Sequence, residues 1–437
     1  MPVPIPTPGQ LAWQEDGFGL FLHLGVNTFH GREWSDGTLD PACFDPSELD
    51  AAQWVDTAVR AGARYVVLTA KHHDGFCLWP TDTTDYSVRS SPWRDGRGDV
   101  VAELADACRA AGIGLGLYLS PWDRNAACYP DPQAYDAFYL SQLTELCTRY
   151  GPLYELWFDG AGSEGRSYDW DGVMGVIEQH QPDAMVFNMG RPTIRWVGNE
   201  DGLAADPCRY ATDTSAVSIY AQRDAALDRT RYLPPECDVP IRRHWFWQPD
   251  DLHTLKTRDH LLALWYRSVG LGAGLLLNVP PDRRGLIDDH DRARLHEFTD
   301  ELARRFRAPQ VTQLFAADRG DRGELVARFA APVLIDHLEL REDLGRGQRI
   351  FGHEILADGR LLARVGTVGV RRVHAFAPVT VTELRIRLTG DGGGGGDQGA
   401  LRAVTGFHTG FASLPEIEEQ LPFIAGKFDA EPQRTSP

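Results

Sequence analysis

Short aliphatic strands alternate with amphipathic helical segments over the first 300 or so residues of the 437-residue chain. This alternation constrains the fold most, since each strand–helix–strand unit places its two strands parallel in one sheet. Eight strands are predicted, at residues 19–24, 65–70, 114–120, 154–159, 184–189, 195–199, 243–247 and 275–279. Eight such units predict a (β/α)8 barrel, which typically needs about 250 residues.

Helices are predicted between several of these strands. One begins at Ser47 and ends before Gly62, and another begins behind Asp99 and ends before Gly112. A polar cap at the start and a glycine at the end are the usual boundaries of a helix. Further helices are predicted at residues 132–150, 170–180 and 251–269.

The pattern changes after Pro309. The runs ELVARFA, VLIDHLEL, LLARVGTV and VTELRIRL alternate apolar and polar residues and are separated by Gly and Asp, which predicts an antiparallel β-sandwich. The predicted domains are therefore a barrel at 1–308 and a sandwich at 309–437. The glycine run at 392–396 has no following Lys-Ser/Thr and no helix, so it predicts a surface hairpin and not a phosphate loop.

The charge balance limits the partners of the chain. Lys and Arg number 44 and Asp and Glu 62, for a net charge of −18, which disfavours nucleic acid and anionic membrane surfaces and favours a neutral small ligand. No run is apolar enough to span a bilayer, and the N-terminus lacks the basic and apolar parts of a signal peptide. A cytoplasmic protein is expected, although a mature secreted chain would begin in the same way.

Polar residues follow the predicted strands at their carboxyl ends, where a (β/α)8 barrel carries its active site. A lone polar residue there is more often a turn former, but so many in phase with the strands predict a site. They are His23, His72, His73, Tyr118, Asp159, Asn188, Glu200 and Asn278.

Two of these residues are carboxylates beside tryptophans: Asp159 in LWFDG and Glu200 in RWVGNE. Paired acids beside aromatic walls are what glycoside hydrolysis requires, one as nucleophile and one as proton donor. The alternatives are a loop cap before Gly160 for Asp159 and a surface acid beside Asp201 for Glu200.

The histidines admit two interpretations. His72 and His73 could bind a divalent metal, but adjacent residues on an extended chain point in opposite directions, and the sequence contains no HxH or HExxH motif. Hydrogen bonds from imidazoles to sugar hydroxyls are favoured, and no metal or cofactor is predicted. The tryptophans near the strand ends favour a carbohydrate pocket, because apolar sugar faces stack on aromatic rings.

The barrel region resembles the retaining α-L-fucosidases of glycoside hydrolase family 29. The motifs that carry the resemblance are FGLFLHLGVNTF, REWSDG, VVLTAKHHDGFCLWP, GLYLSPWDR, LWFDG, RWVGNE and LLLNVPPDRRGLI. The resemblance implies a (β/α)8 barrel followed by a β-sandwich, with Asp159 as the nucleophile and a fucosylated oligosaccharide as the substrate. The chain departs from the family at Leu24, where many members have tryptophan.

The resemblance also implies a sugar-binding set. It comprises His23, Glu33, Trp34, His72, His73, Tyr118 and Trp157. Arg195, which could hold a carboxylate or the sugar, and Trp245, one of the tryptophans near predicted strand ends, are added to this set. The RWVGNE stretch is similar to the branch that cleaves α-1,3/1,4-fucosyl linkages, in which its glutamate is the acid/base. Glu200 is therefore the predicted acid/base, ahead of Glu164 and Glu236, which are predicted to lie in loops.

Four other functions remain open from the sequence. The chain could be a barrel glycosidase for another sugar or a fucosidase of broader linkage specificity. It could instead be a metal-dependent hydrolase that uses His23, His72 and His73, or a sugar-binding protein without activity. The sandwich could bind carbohydrate itself, but it contains no tryptophan, and a structural role is favoured. The sequence does not predict an oligomeric state.

Overall fold

The computed structural model describes residues 3–219, 224–315, 324–389 and 400–418. The glycine run at 392–396 lies outside the described residues. No described helix combines the length and the apolar character needed to cross a membrane.

Eight parallel strands form a nearly closed barrel in the first 300 residues. They are β1 (Phe18–Leu22), β2 (Tyr65–Lys71), β3 (Gly114–Leu119), β4 (Glu155–Trp157), β5 (Met185–Phe187), β6 (Arg195–Trp196), β9 (Pro235–Pro240) and β10 (Gly274–Asn278). The order around the barrel is β5-β4-β3-β2-β1-β10-β9-β6. An antiparallel hairpin, β7 (Ala211–Ser215) and β8 (Ala225–Tyr232), is inserted between β6 and β9. The predicted barrel is confirmed.

The barrel has a seam between β5 and β6, the two ends of the strand order. Among the described residues, a single parallel bridge between Phe187 and Ile194 joins the two sides by backbone pairing. The strands beside the seam are also the shortest, with three residues each in β4 and β5 and two in β6. The backbone ladder is therefore weakest on this side of the barrel.

The helices are α1 (Pro8–Asp16), α2 (Val26–His30), α3 (Ala51–Arg60), α4 (Val100–Ala111), α5 (Pro132–Arg149), α6 (Trp170–His180), α7 (Arg258–Arg267) and α8 (Asp289–Phe306). Two of them begin later than predicted. The carboxylate of Asp50, and not Ser47, caps α3 by accepting from the backbone N–H groups of Ala52 and Gln53. Thr257 caps α7 in the same way.

The strand predicted at 243–247 is wrong, because that segment is a loop, and the strand is β9 (Pro235–Pro240). Two prolines and two acids make PECDVP unlike a strand, yet all six residues are buried. Proline has no backbone N–H to donate to a neighbouring strand. It is therefore tolerated at the ends of a strand, where that hydrogen bond is not needed. The acids alternate, so Glu236 and Asp238 point to the same side, into the barrel.

The C-terminal part is a six-stranded antiparallel sheet with its own apolar core. Its strands are β11 (Val311–Leu314), β12 (Glu324–Glu342), β13 (Gly352–Ala357), β14 (Arg360–Val365), β15 (Arg372–Thr389) and β16 (Leu401–Phe407). The runs ELVARFA and VLIDHLEL are one strand, β12, whose pairing with β15 breaks between Arg328 and Val333. This agrees with the predicted barrel followed by an antiparallel β-sandwich.

Buried polar contacts join the barrel to the sheet. Nδ1–H of His337 on β12 donates to the carboxylate of Asp336 at 2.8 Å, so Nε2 accepts from the hydroxyl of Tyr266 on α7 at 2.9 Å. Arg372 on β15 makes two hydrogen bonds of 2.8 Å to the carboxylate of Asp206. The two parts therefore share a polar interface that includes buried side chains.

Candidate active site

A cavity opens at the carboxyl ends of the barrel strands, with about 560 Å³ of empty space when its open mouth is included. Parallel strands bring their carboxyl ends to one face, so residues distant in sequence meet there. Nine of the predicted site residues line the cavity: His23, Trp34, His72, His73, Tyr118, Trp157, Asp159, Glu200 and Trp245. Of the predicted set, Glu33 and Arg195 are absent from the lining.

Asp159 lies directly beyond the end of β4, with 27% of its side chain exposed. Its Oδ1 accepts from the backbone N–H of Ala161 at 2.8 Å, and its Oδ2 accepts from the hydroxyl of Tyr118 at 3.1 Å. Burial, followed by the charge of Asp159, raises the pKa of Tyr118 well above its usual value. The phenol therefore stays protonated and remains a donor to the carboxylate, which is held in one orientation.

Stacked aromatic rings form the wall beneath Asp159. Trp157 stacks on Phe187 with ring centroids 4.0 Å apart and planes 9° apart, and on Tyr118 with centroids 5.3 Å apart. Side chains alternate along β4, so Trp157 and Asp159 face the cavity while Phe158 is buried in the surrounding core. The strand thus places a carboxylate and an indole side by side at the cavity.

Hydrogen bonds fix the tautomer of His23. The amide N–H of Asn278 donates to the carbonyl of Trp245 at 2.8 Å, so its Oδ1 faces Nδ1 of His23, also at 2.8 Å. An amide oxygen only accepts, and Nδ1 therefore carries a proton. Nε2 is the ring nitrogen on the other side from this bond.

The same logic applies to His73. The hydroxyl of Ser120 donates to the carbonyl of Trp122 at 2.6 Å, so it accepts from Nδ1–H of His73 at 2.7 Å. Nε2 of His73 lies 3.6 Å from Oδ2 of Asp159. His72 stacks parallel to Tyr118, with centroids 5.6 Å apart. His73 therefore borders the carboxylate, and His72 stacks on the tyrosine that donates to it.

The structure places Lys71, the first residue of the KHHDGF motif, outside the cavity. Its ammonium group is fully buried and donates to the carboxylate of Asp123 at 2.9 Å and to the amide oxygen of Gln142 at 2.8 Å. A buried lysine with a paired carboxylate avoids the cost of an isolated charge. Lys71 therefore supports the segment that carries the two histidines.

Glu33 lies behind the cavity. Its carboxylate accepts from the backbone N–H of Trp245, at 3.1 Å and 3.3 Å from the two oxygens. Trp34, the next residue, lines the cavity edge-to-face with Trp122. Glu33 therefore positions Trp245, whose indole N–H in turn lies 3.4 Å from Oε2 of Glu200.

The placement of Arg195 in the sugar pocket is wrong. Its guanidinium donates to the carbonyl oxygens of Arg209 at 3.0 Å and Trp196 at 3.4 Å, away from the cavity. Successive side chains of a strand point to opposite sides, and Trp196 is the inward one.

Asn188 connects the two sides of the seam through its side chain. Its Oδ1 accepts from the hydroxyl of Ser215 at 2.7 Å and from the backbone N–H of Trp196 at 3.4 Å, and its Nδ2 donates to the carbonyl of Val217 at 3.5 Å. Its φ of +67° is a left-handed conformation that asparagine tolerates. A strand-end polar residue thus holds both the β6 segment and the cavity wall.

Residues 217–219 form the part of the wall that no sequence pattern predicts. They follow strand β7 of the inserted hairpin and lie against the segment that carries Asp159. A Cβ added to Gly160 would overlap both the carbonyl oxygen and a methyl group of Val217. The glycine of LWFDG is therefore required by the close approach of another backbone.

Asp238 is the other cavity residue that the sequence did not reveal, because PECDVP does not resemble a strand. Its side chain is buried, at 3% exposure, and Oδ1 accepts from the indole N–H of Trp196 at 2.6 Å. Burial, and then the charges of Glu200 and Glu236, raise its pKa well above the usual value. The spacing of Glu236 and Asp238, two residues apart as on one face of a strand, was the sequence feature that could have predicted this strand.

Glu236, an alternative acid/base in the sequence, lies inside the barrel and not in a loop. It accepts from the indole N–H of Trp157 at 3.0 Å and from the hydroxyl of Tyr65 at 2.8 Å. Burial raises its pKa to about 7, and burial together with the Glu236 charge raises the pKa of Glu155 well above its usual value. The pair supports Trp157 from below and does not reach the cavity lining.

Among the described residues, no group of three or more His, Cys, Asp or Glu side chains is arranged to hold a metal ion. The three histidines at the cavity are instead packed with aromatic rings. His23 lies 5.2 Å from the ring of Trp245, and His73 lies 5.1 Å from that of Trp122. The arrangement is suited to a neutral, hydroxyl-rich ligand with one apolar face.

Comparison with known proteins places this geometry in a family. The α-L-fucosidase family model matches residues 7–304. Alpha-L-fucosidase 1 of Arabidopsis thaliana is 44% identical over 336 residues, which span 75% of this chain and 66% of that relative, just under two thirds of its length.

Two solved structures agree with this match. A glycoside hydrolase 29 family member from an unknown rumen bacterium has a TM-score of 0.82 at 33% identity, over 97% of this chain and 80% of its own. The GH29 fucosidase of Ruminococcus gnavus in complex with fucose has a TM-score of 0.80 at 27% identity, over 93% and 96%. By family match and by fold, this chain belongs to glycoside hydrolase family 29, the α-L-fucosidases.

Proposed function

We propose that this protein releases terminal L-fucose from fucosylated glycans with retention of anomeric configuration. The observation that carries the proposal is that Asp159, held by Tyr118 and the Ala161 N–H, faces the same cavity as Glu200. Two carboxylates with different surroundings can take different roles, one ionised and one protonated.

In the first step, Asp159 attacks C1 of the fucosyl unit and Glu200 donates a proton to the departing glycosidic oxygen. A fucosyl ester forms on Asp159 as the bond from C1 to the leaving oxygen breaks. The hydroxyl of Tyr118, already 3.1 Å from Oδ2, keeps the carboxylate aimed as its charge decreases.

In the second step, Glu200 removes a proton from water, and the resulting hydroxide attacks C1. The ester bond breaks, Asp159 regains its charge, and Glu200 regains its proton. Each displacement inverts C1, so two displacements retain the configuration.

The cavity lining suits a deoxy sugar. His23, His72 and His73 supply ring nitrogens for hydroxyl groups, and the rings of Trp34, Trp157 and Trp245 supply apolar surface for a methyl group and the sugar face. The Ruminococcus gnavus relative was solved with fucose. L-fucose is therefore our proposed ligand over other hexoses.

We further propose a preference for α-1,3- and α-1,4-linked fucose, which rests on the RWVGNE stretch that carries Glu200. Incubation with 3-, 4- and 2-fucosylated trisaccharides, followed by product analysis and NMR of the anomeric proton, tests both points. We expect fucose from the first two, formed initially as the α anomer. Release from the 2-linked sugar alone would contradict the linkage preference, and initial β-fucose would contradict retention.

The roles of the two carboxylates are separable by azide. We expect Asp159→Gly to lower kcat on the order of 10³-fold or more, and azide to restore turnover by a single displacement that gives β-fucosyl azide. We expect Glu200→Ala to yield α-fucosyl azide instead, since azide then attacks the ester on Asp159. Mass and NMR analysis of the products distinguishes the two, and wild-type activity in either variant would refute its assignment.

A further inference from the structure

The indole of Trp157 lies between the cavity and a buried carboxyl group. Trp157 lines the cavity with 5% of its surface exposed, and its ring N–H donates into the barrel interior, to Oε1 of Glu236 at 3.0 Å. Glu236 lies on β9, is fully buried and is outside the cavity lining. The double displacement leaves this carboxyl group without a role, although burying a carboxyl is costly for the fold.

Hydrogen bonds indicate which member of the buried acid pair carries the charge. Both oxygens of Glu236 accept, Oε1 from Trp157 and Oε2 from the hydroxyl of Tyr65 at 2.8 Å. Among the described residues, Glu155 has one such donor, the indole N–H of Trp13 at 3.2 Å. Donors to a carboxyl group favour its ionised form. Glu236 is therefore the ionised member and Glu155 the protonated one, which agrees with the raised pKa of Glu155.

Trp157 is also close to the place where the proposed reaction develops positive charge. It precedes Asp159 by two residues and faces the cavity from the same side, which separates the two side chains by about 7 Å along the chain. C1 of the sugar approaches Asp159 to about 3 Å before it reacts. A cation is attracted to an indole face within about 6 Å of its centre. The fucosyl ring therefore passes within range of this indole.

The ring of Trp157 is held in one orientation. It stacks on Phe187 with centroids 4.0 Å apart, and on Tyr118, the donor to Asp159, with centroids 5.3 Å apart. The hydrogen bond to Glu236 fixes the rotation of the indole within this stack. An electrostatic effect of the ring is thus present before a ligand binds, and needs no rearrangement during the reaction.

We infer that the charge of Glu236 acts through Trp157 to stabilise the positive charge that develops on the fucosyl ring in the transition state. The inference rests on the proposed displacement at Asp159. A carboxylate that accepts from the indole N–H polarises the ring and makes its face more negative. A neutral sugar gains little from this, whereas the oxocarbenium-like transition state gains more, which lowers the barrier. Glu236 touches no reacting atom and is a positioning residue.

The test compares a cationic and a neutral ligand in Glu236→Gln. The glutamine oxygen can accept from Trp157 while its amide N–H donates to Tyr65, so the change removes mainly the charge. The ligands are a fucose-configured iminosugar, whose protonated ring nitrogen imitates the transition-state charge, and L-fucose. At about pH 7.5, above the pKa of about 7 that burial gives Glu236, the carboxyl group of the wild type is largely ionised.

We expect Glu236→Gln to weaken binding of the iminosugar about tenfold and binding of L-fucose less than about twofold, as measured by isothermal titration calorimetry. A residue that only supported the fold of the cavity would affect both ligands alike. Equal losses for the two ligands, or no loss for the iminosugar, would therefore overturn the inference.

Glu155→Gln is the matched control. It makes the same change in the other buried carboxyl, which already carries a proton and donates no charge to Trp157. We expect the ratio of the two affinities to stay at the wild-type value. A selective loss of iminosugar binding as large as in Glu236→Gln would mean that disturbance of the pair, and not the charge on Glu236, is responsible, and would overturn the inference.

Tyr65→Phe covers the case in which Glu236→Gln does not fold. Tyr65 is outside the cavity lining, and without its hydroxyl the carboxyl of Glu236 takes up a proton more readily. We expect the iminosugar to lose about threefold in affinity relative to L-fucose, and an unchanged ratio would overturn the inference. Failure of the proposed function looks different, because the wild type would then bind neither ligand.

Discussion

Ser120 decides which nitrogen of His73 faces the candidate nucleophile. Its hydroxyl proton is committed to the carbonyl of Trp122, so it presents a lone pair to Nδ1–H of His73. The ring is thereby oriented with Nε2 at 3.6 Å from Oδ2 of Asp159. A residue with no chemistry of its own sets the hydrogen-bonding pattern of the site.

We expect Ser120→Ala to lower kcat/KM about tenfold, the effect of one lost hydrogen bond of about 1.4 kcal/mol, with the melting temperature little changed. Steady-state kinetics with a fucosyl substrate measures this. Ser91→Ala is the control, since Ser91 is also buried with its hydroxyl donating to a carbonyl, at Val88, but lies outside the cavity. Equal losses in the two variants would contradict the role of Ser120.

At this scale the strand-end rule predicted most of the polar residues of the cavity. His23, Tyr118 and Asp159 lie where parallel strands end, and that position depends only on the hydrophobic pattern. Arg195 could not be placed in the same way, because a two-residue strand has no alternation from which to read its direction. Asp238 was missed because the prolines around it concealed a strand.

Among the elements, the hairpin β7–β8 and strand β4 meet at Gly160. The backbone of Val217 occupies the space that a side chain at Gly160 would need, so the hairpin insertion and the segment of Asp159 form one wall. The hairpin was not predicted, since its strands are polar and largely exposed, and nothing in their pattern indicates burial. Its contribution to the cavity arises from tertiary packing alone.

We expect Gly160→Ala to raise KM and to lower kcat/KM more than tenfold, because a backbone carbonyl cannot rotate away from the new Cβ and the wall must shift. Gly175→Ala is the control: Gly175 lies within α6 with open space around it, and the substitution should stabilise the helix slightly. Kinetics and thermal denaturation of both variants decide the point. Wild-type KM in Gly160→Ala would show that the wall is not constrained there.

For the whole molecule, the acid pair inside the barrel couples stability to pH. The pKa of Glu155 is raised above its ordinary 4.5 by burial and by the charge of Glu236. The folded chain therefore holds a proton that the unfolded chain loses above pH 4.5. The contribution of Glu155 to the free energy of unfolding is therefore largest below pH 4.5. It declines as the pH rises towards the pKa that Glu155 has in the folded state.

We expect Glu155→Gln to become progressively more stable than the wild type between pH 5 and pH 8, by up to about 1.4 kcal/mol per pH unit. The glutamine side chain is neutral at every pH, as Glu155 is only when protonated. Its amide oxygen can still accept from the indole N–H of Trp13. Chemical denaturation across this range measures the difference. Glu178→Gln, at an exposed site on α6, should show a constant difference from the wild type. A constant difference for Glu155→Gln would contradict a raised pKa.

The sequence predicts a barrel followed by a β-domain because the pattern of apolar residues changes after the last barrel helix. Strands separated by helical segments give way to strands with continuous apolar and polar alternation. The contacts between the parts were not predictable. Tyr266, His337 and Asp336 are ordinary residues of a helix and a strand, and only their meeting makes a network. Contacts of this kind depend on how the folded barrel and the folded sheet pack against each other. No local pattern in a single sequence indicates that packing.

The seam between β5 and β6 is the side of the barrel with the least backbone pairing. The candidate acid/base residue follows β6, at this seam. Seven of the eight neighbouring strand contacts are backbone ladders, whereas this one relies on a single bridge and on the amide of Asn188. A loop that leaves the barrel at this seam can therefore change with less loss of backbone pairing than a loop between two laddered strands. A change of loop at the seam would alter the cavity wall that carries Glu200 without breaking the ladder between β3 and β4 that precedes Asp159.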